Sequence, residues 1–140
     1  MTAPHAHITL TALATFQVGE ALCGLDIRHI QEIILLSQFT RVPQAPADVL
    51  GILNLRGQIV TIIDLAHRIG LGISVPSEQT RVIIVNTTGG KVGLLVHRIS
   101  DVVQVDLANA EPAPANLGGL QGRYFTGVNK QEKSLIGLLH

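Results

Sequence analysis

Charged residues are scarce in this 140-residue chain, at 14% against a usual share of roughly 25%. So few ions cannot solvate the whole surface of a domain. Some apolar surface is left exposed, and exposed apolar patches mark partner sites. The 10 basic and 10 acidic residues cancel to a formal net charge of +0. A neutral chain lacks the basic footprint that supplies most nucleic-acid affinity. Aromatics make up only 3%, too few for platforms that stack single-stranded bases. Cys23 is the single cysteine, which excludes an internal disulfide and fits a reducing compartment. No apolar run approaches the ~18 residues that span a bilayer. The opening MTAPHAHITLTALATF has no basic region ahead of its apolar stretch, unlike a signal peptide. The expectation is a soluble cytoplasmic protein of one domain, long enough for a real core.

What the chain does have is short runs rich in Ile and Val, broken by frequent turn signals. That rhythm predicts a mainly β domain with small helical pieces. Ala12–Val18 and Ala21–Ile27 flank Gly19-Glu20, a hairpin signal. Ile27–Ile33 carries apolar residues at 27, 30 and 33 or 34, a short helix-like period, and Ile33–Ser37 reads as a buried strand. Pro43 and Pro46 make the next stretch extended and loop-like. VLGILNL and QIVTIID flank Arg56-Gly57, a second hairpin. Asp64–Gly70 reads as a turn or two of helix, capped by Asp64 and ended by Gly70. TRVIIVN and KVGLLVH bracket Thr87–Gly90 as a third hairpin, and Asp101–Leu107 alternates as a half-buried strand. RYFTGVN and KSLIGLL make a last pair. About ten short strands without long helices disfavour a parallel α/β sheet. Pattern alone fits two small barrels or one ten-strand sandwich.

Catalytic patterns are thin. The six histidines, at 5, 7, 29, 67, 97 and 140, include no His-x-x-x-His pair, so no metal site is expected. Cys23 sits in an apolar run and reads as a buried, inert thiol. No serine lies in G-x-S-x-G, and Asp26, Asp64 and Asp101 stand isolated as caps or turn residues. Sequence distance leaves convergence in space open. GGLQG at 118–122 has neither phosphate-loop nor dinucleotide spacing, so no cofactor is expected. Arg56 is different, because a hairpin tip would present its guanidinium as a rigid fork. An ordinary solvated turn arginine and a recognition residue both remain open from these residues alone. So does a small enzyme or ligand-binding barrel built around Arg56, which would need convergent polar groups beside it.

The order of segments resembles the CheW-like coupling proteins of bacterial chemotaxis. FQVGEALCGLDIRHIQEI is similar to that family's opening strand pair, with IQEI the nearest piece. TRVPQAPADVLGILNLRGQIVTIIDL (Thr40–Leu65) resembles its central signature, a proline loop leading to an N-L-R-G hairpin and a D-L helix start. VGLLVHRISDVVQV resembles the second-half hairpin and strand, and EPAPANLGGLQGRYFTGVNKQEKSLIGLL the closing strand pair. The likeness runs from about Ala14 to Leu139.

The resemblance implies two small five-stranded barrels around a shared apolar core. In that picture 1–11 is a flexible tail, 12–140 is one CheW-like domain, and the sub-barrels divide near 71–79 with strands free to cross. It implies a non-enzymatic adaptor, without cofactor or metal. Such an adaptor couples the cytoplasmic tips of chemoreceptors (methyl-accepting chemotaxis proteins) to a CheA-type histidine kinase regulatory domain, in arrays under the inner membrane. Ile30, Glu32, Asn54, Arg56 and Gly57 take protein-binding positions, with Asn54 and Arg56 at a receptor-facing groove. Opposite charges in matching interface segments predict that Glu32 and Arg56 pair. The alternatives are a paralogue in a chemotaxis-like pathway controlling pili or gene expression, or a truncated competitor of the intact coupler. Three features depart from the family pattern. Thr61 stands where proline is usual, and His97 where aspartate is common. The sequence ends at His140, where an apolar-faced helix usually follows.

Overall fold

The computed structural model describes residues 9–110 and, beyond them, the backbone of strands at 116–117, 120–121, 125–130 and 135–139. Strands β1 (Leu10–Val18) and β2 (Ala21–Asp26) form the first hairpin. Gly19 supplies the positive φ, 60°, that its two-residue turn requires. A single 3-10 turn, Ile27–His29, leads into β3 (Ile30–Leu35). The helix-like spacing of Ile27–Ile33 therefore yields only those three residues of helix. From Ile30 onward, pairing with a neighbouring strand wins, and burial alternates residue by residue as on an edge strand.

β4 (Val49–Leu55) and β5 (Gln58–Asp64) meet at Arg56-Gly57, and α1 (Leu65–Arg68) follows. Gly70, at φ 94°, stands just beyond the helix, as expected. Asp64 does not cap that helix with its side chain. Its buried carboxylate accepts instead from the N–H and hydroxyl of Ser74. β6 (Arg81–Thr87) and β7 (Gly90–Val96) form the third hairpin, and β8 (Arg98–Asp106) follows. β8 starts three residues before the expected Asp101. Asp106 then caps a 3-10 turn at Leu107–Asn109 by accepting from the Ala108 N–H at 3.0 Å. The short β9 (Asn116–Leu117) and β10 (Leu120–Gln121) precede the last hairpin, β11 (Phe125–Lys130) and β12 (Leu135–Leu139).

The larger strands build two five-stranded sheets with the same internal plan. The first runs β11-β12-β2-β1-β8 and the second β3-β6-β7-β5-β4. Each has an inner hairpin, an outer hairpin joined to it by one parallel pairing, and a lone strand on the far edge. In chain order the two plans are cyclic permutations of one another. Each inner hairpin runs directly into the lone strand of the other sheet, so the chain changes sheets after Asp26 and again at His97. The segment 71–79 instead joins α1 to β6 and stays within the second sheet.

Apolar periodicity explains how the sheets pack. On β6, Ile83 and Val85 face a core shared with Phe16, Val18, Cys23 and Leu25 of the first sheet. Their neighbours Val82 and Ile84 point the other way, among Leu53, Val60, Ile62 and Leu95 inside the second sheet. That is why β6 is a continuous V-I-I-V run, since both of its faces are buried. Leu65, Ala66 and Ile69, from α1 and the residue after it, fill the shared core from the side. Each fully buried large side chain contributes about 1.5–3 kcal/mol, and Phe16, Ile69 and Ile83 are all fully buried.

The second sheet is tied edge to edge. Beyond β3, Thr40 forms an isolated bridge with Ile52 of β4, with two N–H···O bonds of 2.8 Å. Gly51 permits this approach, because a Cβ there would sit 2.5 Å from the Thr40 carbonyl oxygen. The same bridge turns Ile52's backbone groups away from β5. Its partner Thr61 therefore directs its own N–H toward β7, a donor that proline would lack.

Candidate functional site: the β4–β5 hairpin tip

The tip is built by turn chemistry. Leu55 pairs with Gln58, leaving a two-residue loop in which Arg56 has φ 50° and Gly57 φ 85°. Two successive positive φ values make the type I′ turn that matches the twist of flanking strands. Glycine adopts this freely, whereas for arginine it is uncommon and costs roughly 1–2 kcal/mol. Asn54 supports the strained residue, its side-chain oxygen accepting the Gly57 N–H at 2.8 Å. Asn54 is therefore tied into the hairpin, where it holds the loop in shape.

Arg56 reaches across the sheet. Its Nη2 donates to Oε1 of Glu32 on β3, and the pair forms a salt bridge. The arginine side chain remains 65% exposed and the glutamate 28%. Glu32 stands one residue beyond an irregularity in the β3–β6 register, between Ile30 and Ile34. Those two isoleucines pack into different places, Ile30 against the shared core and Ile34 against the interior of the second sheet. Of the five residues expected to bind protein, Glu32, Asn54, Arg56 and Gly57 thus come together. Ile30 is half-buried and packs against the shared core.

Ile33–Ser37, expected as a buried strand, is instead the end of an edge strand that stops at Leu35 and exposes alternate residues. Ile59, opposite Asn54, is 61% exposed, and Ile33 and Leu35 lie on the exposed face of β3. Their signal was the alternation within IQEIIL. With Ile34 turned inward, Ile33 and Leu35 must face outward.

A cavity of about 470 Å³ is lined by apolar residues such as Leu25, Ile63 and Leu65 together with His29, Arg68 and Asn86, and Arg56 does not line it. Ser74, His97 and Asp64 do meet elsewhere, but in the wrong order for acyl transfer. The serine hydroxyl gives its proton to the carboxylate, so the imidazole has none to remove. Cys23 is fully buried, and burial pushes its thiol up to about 12.

Comparison with known proteins agrees with this geometry. A family model for the CheW-like domain matches residues 12–140. The chain belongs to the CheW-like domain family. Chemotaxis protein CheW of Klebsiella aerogenes is 38% identical over 125 residues, covering 89% of this chain and 75% of the relative. Chemotaxis protein CheW of Treponema pallidum is 34% identical over 131 residues, covering 91% and 77%. The crystal structure of the scaffolding protein TtCheW from Thermoanaerobacter tengcongensis superposes with a TM-score of 0.86 at 31% identity, over 100% of this chain and 90% of that one. The fold is thus CheW-like and mainly β, with two five-stranded sheets around a shared core. Among the described residues, no helix is long and apolar enough to cross a membrane.

Proposed function

We propose that this CheW-like chain is a chemotaxis adaptor without catalytic activity, coupling the cytoplasmic tip of a chemoreceptor to a CheA-type histidine kinase. It works in the cytoplasm, at receptor arrays under the inner membrane. The observation that carries this reading is the N-L-R-G hairpin, set within a family match that runs from residue 12 to residue 140. Ile59 on that hairpin and Ile33 and Leu35 on β3 offer exposed apolar area, and Arg56, steadied by Glu32, offers an oriented cation. Interfaces draw most of their energy from such desolvated anchors, with a few polar groups setting orientation.

A pull-down with receptor cytoplasmic tip and kinase regulatory domain tests the proposal, with Arg56→Ala as the control. The wild type should retain both partners, and Arg56→Ala should lose the receptor while keeping the kinase domain. A folded wild type that captures neither partner overturns the coupling role.

A further inference from the structure

Segments from both sheets converge on His97, where the chain crosses from β7 to β8. The His97 N–H donates to the Gln17 carbonyl at 2.9 Å, pinning the crossover to β1. The Gly19 N–H, in the β1–β2 turn, donates to His97 Nδ1 at 2.8 Å. On the other side of the ring, Nε2 lies 3.0 Å from Ser74 Oγ. Ser74 in turn donates twice to Asp64, through Oγ at 2.5 Å and through its N–H at 2.8 Å.

Each contact fixes the next. Gly19 offers a proton, so Nδ1 must present a bare lone pair. A hydroxyl has one proton, and Ser74 gives it to the carboxylate. Nε2 must therefore carry the ring proton and donate it to Ser74. The chain of bonds is complete only with a neutral imidazole protonated at Nε2.

The geometry points to His97 as a proton-operated release between the two sheets. A second proton, at Nδ1, would set an N–H against the Gly19 N–H and remove that bond. The Nε2–Ser74–Asp64 arm would survive unchanged in direction, now with opposite charges at its ends. Protonation thus removes the ring's hold on the Gly19 turn, while the backbone bond from His97 to Gln17 and the connector carrying Ser74 stay held. The charged and titratable groups on the elements meeting here are Glu20 and Asp26 on the β1–β2 hairpin, Asp64 behind Ser74, His67 and Arg68 on α1, Glu78 on the connector, Lys91 on β7, and Arg98, Asp101 and Asp106 on β8. This release does not depend on the coupling reading, since it follows from bonds within the chain.

The test is a pH titration of the full-length ¹⁵N-labelled protein by NMR. At high pH the imidazole ¹⁵N shifts should report a bare Nδ1. As His97 titrates, Gly19 amide protection, corrected for intrinsic exchange, should fall about tenfold or more. Ser74 amide protection should hold through the same range. His97→Asn keeps an acceptor facing Gly19 and cannot titrate there, so its Gly19 amide should stay protected in acid. A proton on Nδ1 at high pH would overturn the inference. So would Gly19 protection that stays flat through the titration of wild-type His97, or a joint loss at Gly19 and Ser74.

Discussion

Arg56 and Glu32 lie on opposite sides of one five-stranded sheet and are bonded to each other. Glu32 is on β3, one edge of the second sheet, and Arg56 tips the hairpin that forms the other edge. The Thr40–Ile52 bridge joins the same two edges by backbone. The ion pair therefore does more than neutralise a surface charge. It sets the direction of a guanidinium whose own backbone is held in a strained turn.

Exposure limits what this pair adds to stability, since exposed ion pairs are worth about 0–1 kcal/mol. Its effect should appear in binding. Glu32→Arg and Arg56→Glu should each weaken receptor-tip binding, and the double swap should recover much of the loss. Isothermal titration of all four proteins gives the coupling energy. Purely additive losses would refute a steering role for Glu32.

Asn54 should act through the turn. Asn54→Ala removes the acceptor for the Gly57 N–H and should cost about 0.5–1.5 kcal/mol in chemical denaturation. Asn54→Asp keeps an acceptor and should restore most of that stability. If both variants are as stable as wild type but bind poorly, Asn54 instead touches the partner directly.

Gly51→Ala should be more damaging than its size suggests. The new methyl group would meet the Thr40 carbonyl oxygen at 2.5 Å and the Phe39 ring at 2.8 Å. Relief requires parting the Thr40–Ile52 bridge that ties the edges of the sheet. Overpacking of this kind costs about 1–3 kcal/mol. Loss of the two bridge amides' exchange protection would locate the damage, and unchanged protection would refute the account.

The β1–β2 and β4–β5 hairpins were legible because short apolar runs flank a turn that needs glycine, at Gly19 and Gly57. Glu32 and Arg56 were legible as a pair through opposite charge in two segments of one signature. The helix-like spacing of Ile27–Ile33 misled because apolar residues three apart also fit a turn followed by an edge strand. Asp64 misled because D-L-A-H-R has the form of a capped helix, and its true partner is ten residues away in a patternless connector. The His97 contacts were invisible for the same reason. Residues 19, 64, 74 and 97 share no periodicity, and only the exchange of edge strands between sheets brings them together.

Cys23 provides a test of the shared core that is independent of any partner. Its thiol is fully buried between the sheets, and desolvation raises its pKa from 9.0 to about 12. Above pH 9 the unfolded chain gives up this proton while the folded chain keeps it. The folded state then holds more protons than the unfolded one, so stability falls as pH rises from about 9 toward 12. Below pH 9 both states are protonated and the thiol contributes no pH dependence. Cys23→Ala leaves a small cavity and should cost about 1–2 kcal/mol at neutral pH, with partner choice unchanged. It should also flatten the alkaline decline relative to wild type, because the other alkaline groups titrate equally in both proteins. Denaturant unfolding of the two proteins at pH 8, 9 and 10 measures the difference directly. A stability gap that stays constant across that range would mean that the thiol ionises as readily in the folded protein, and the core around it would then have to be open to water.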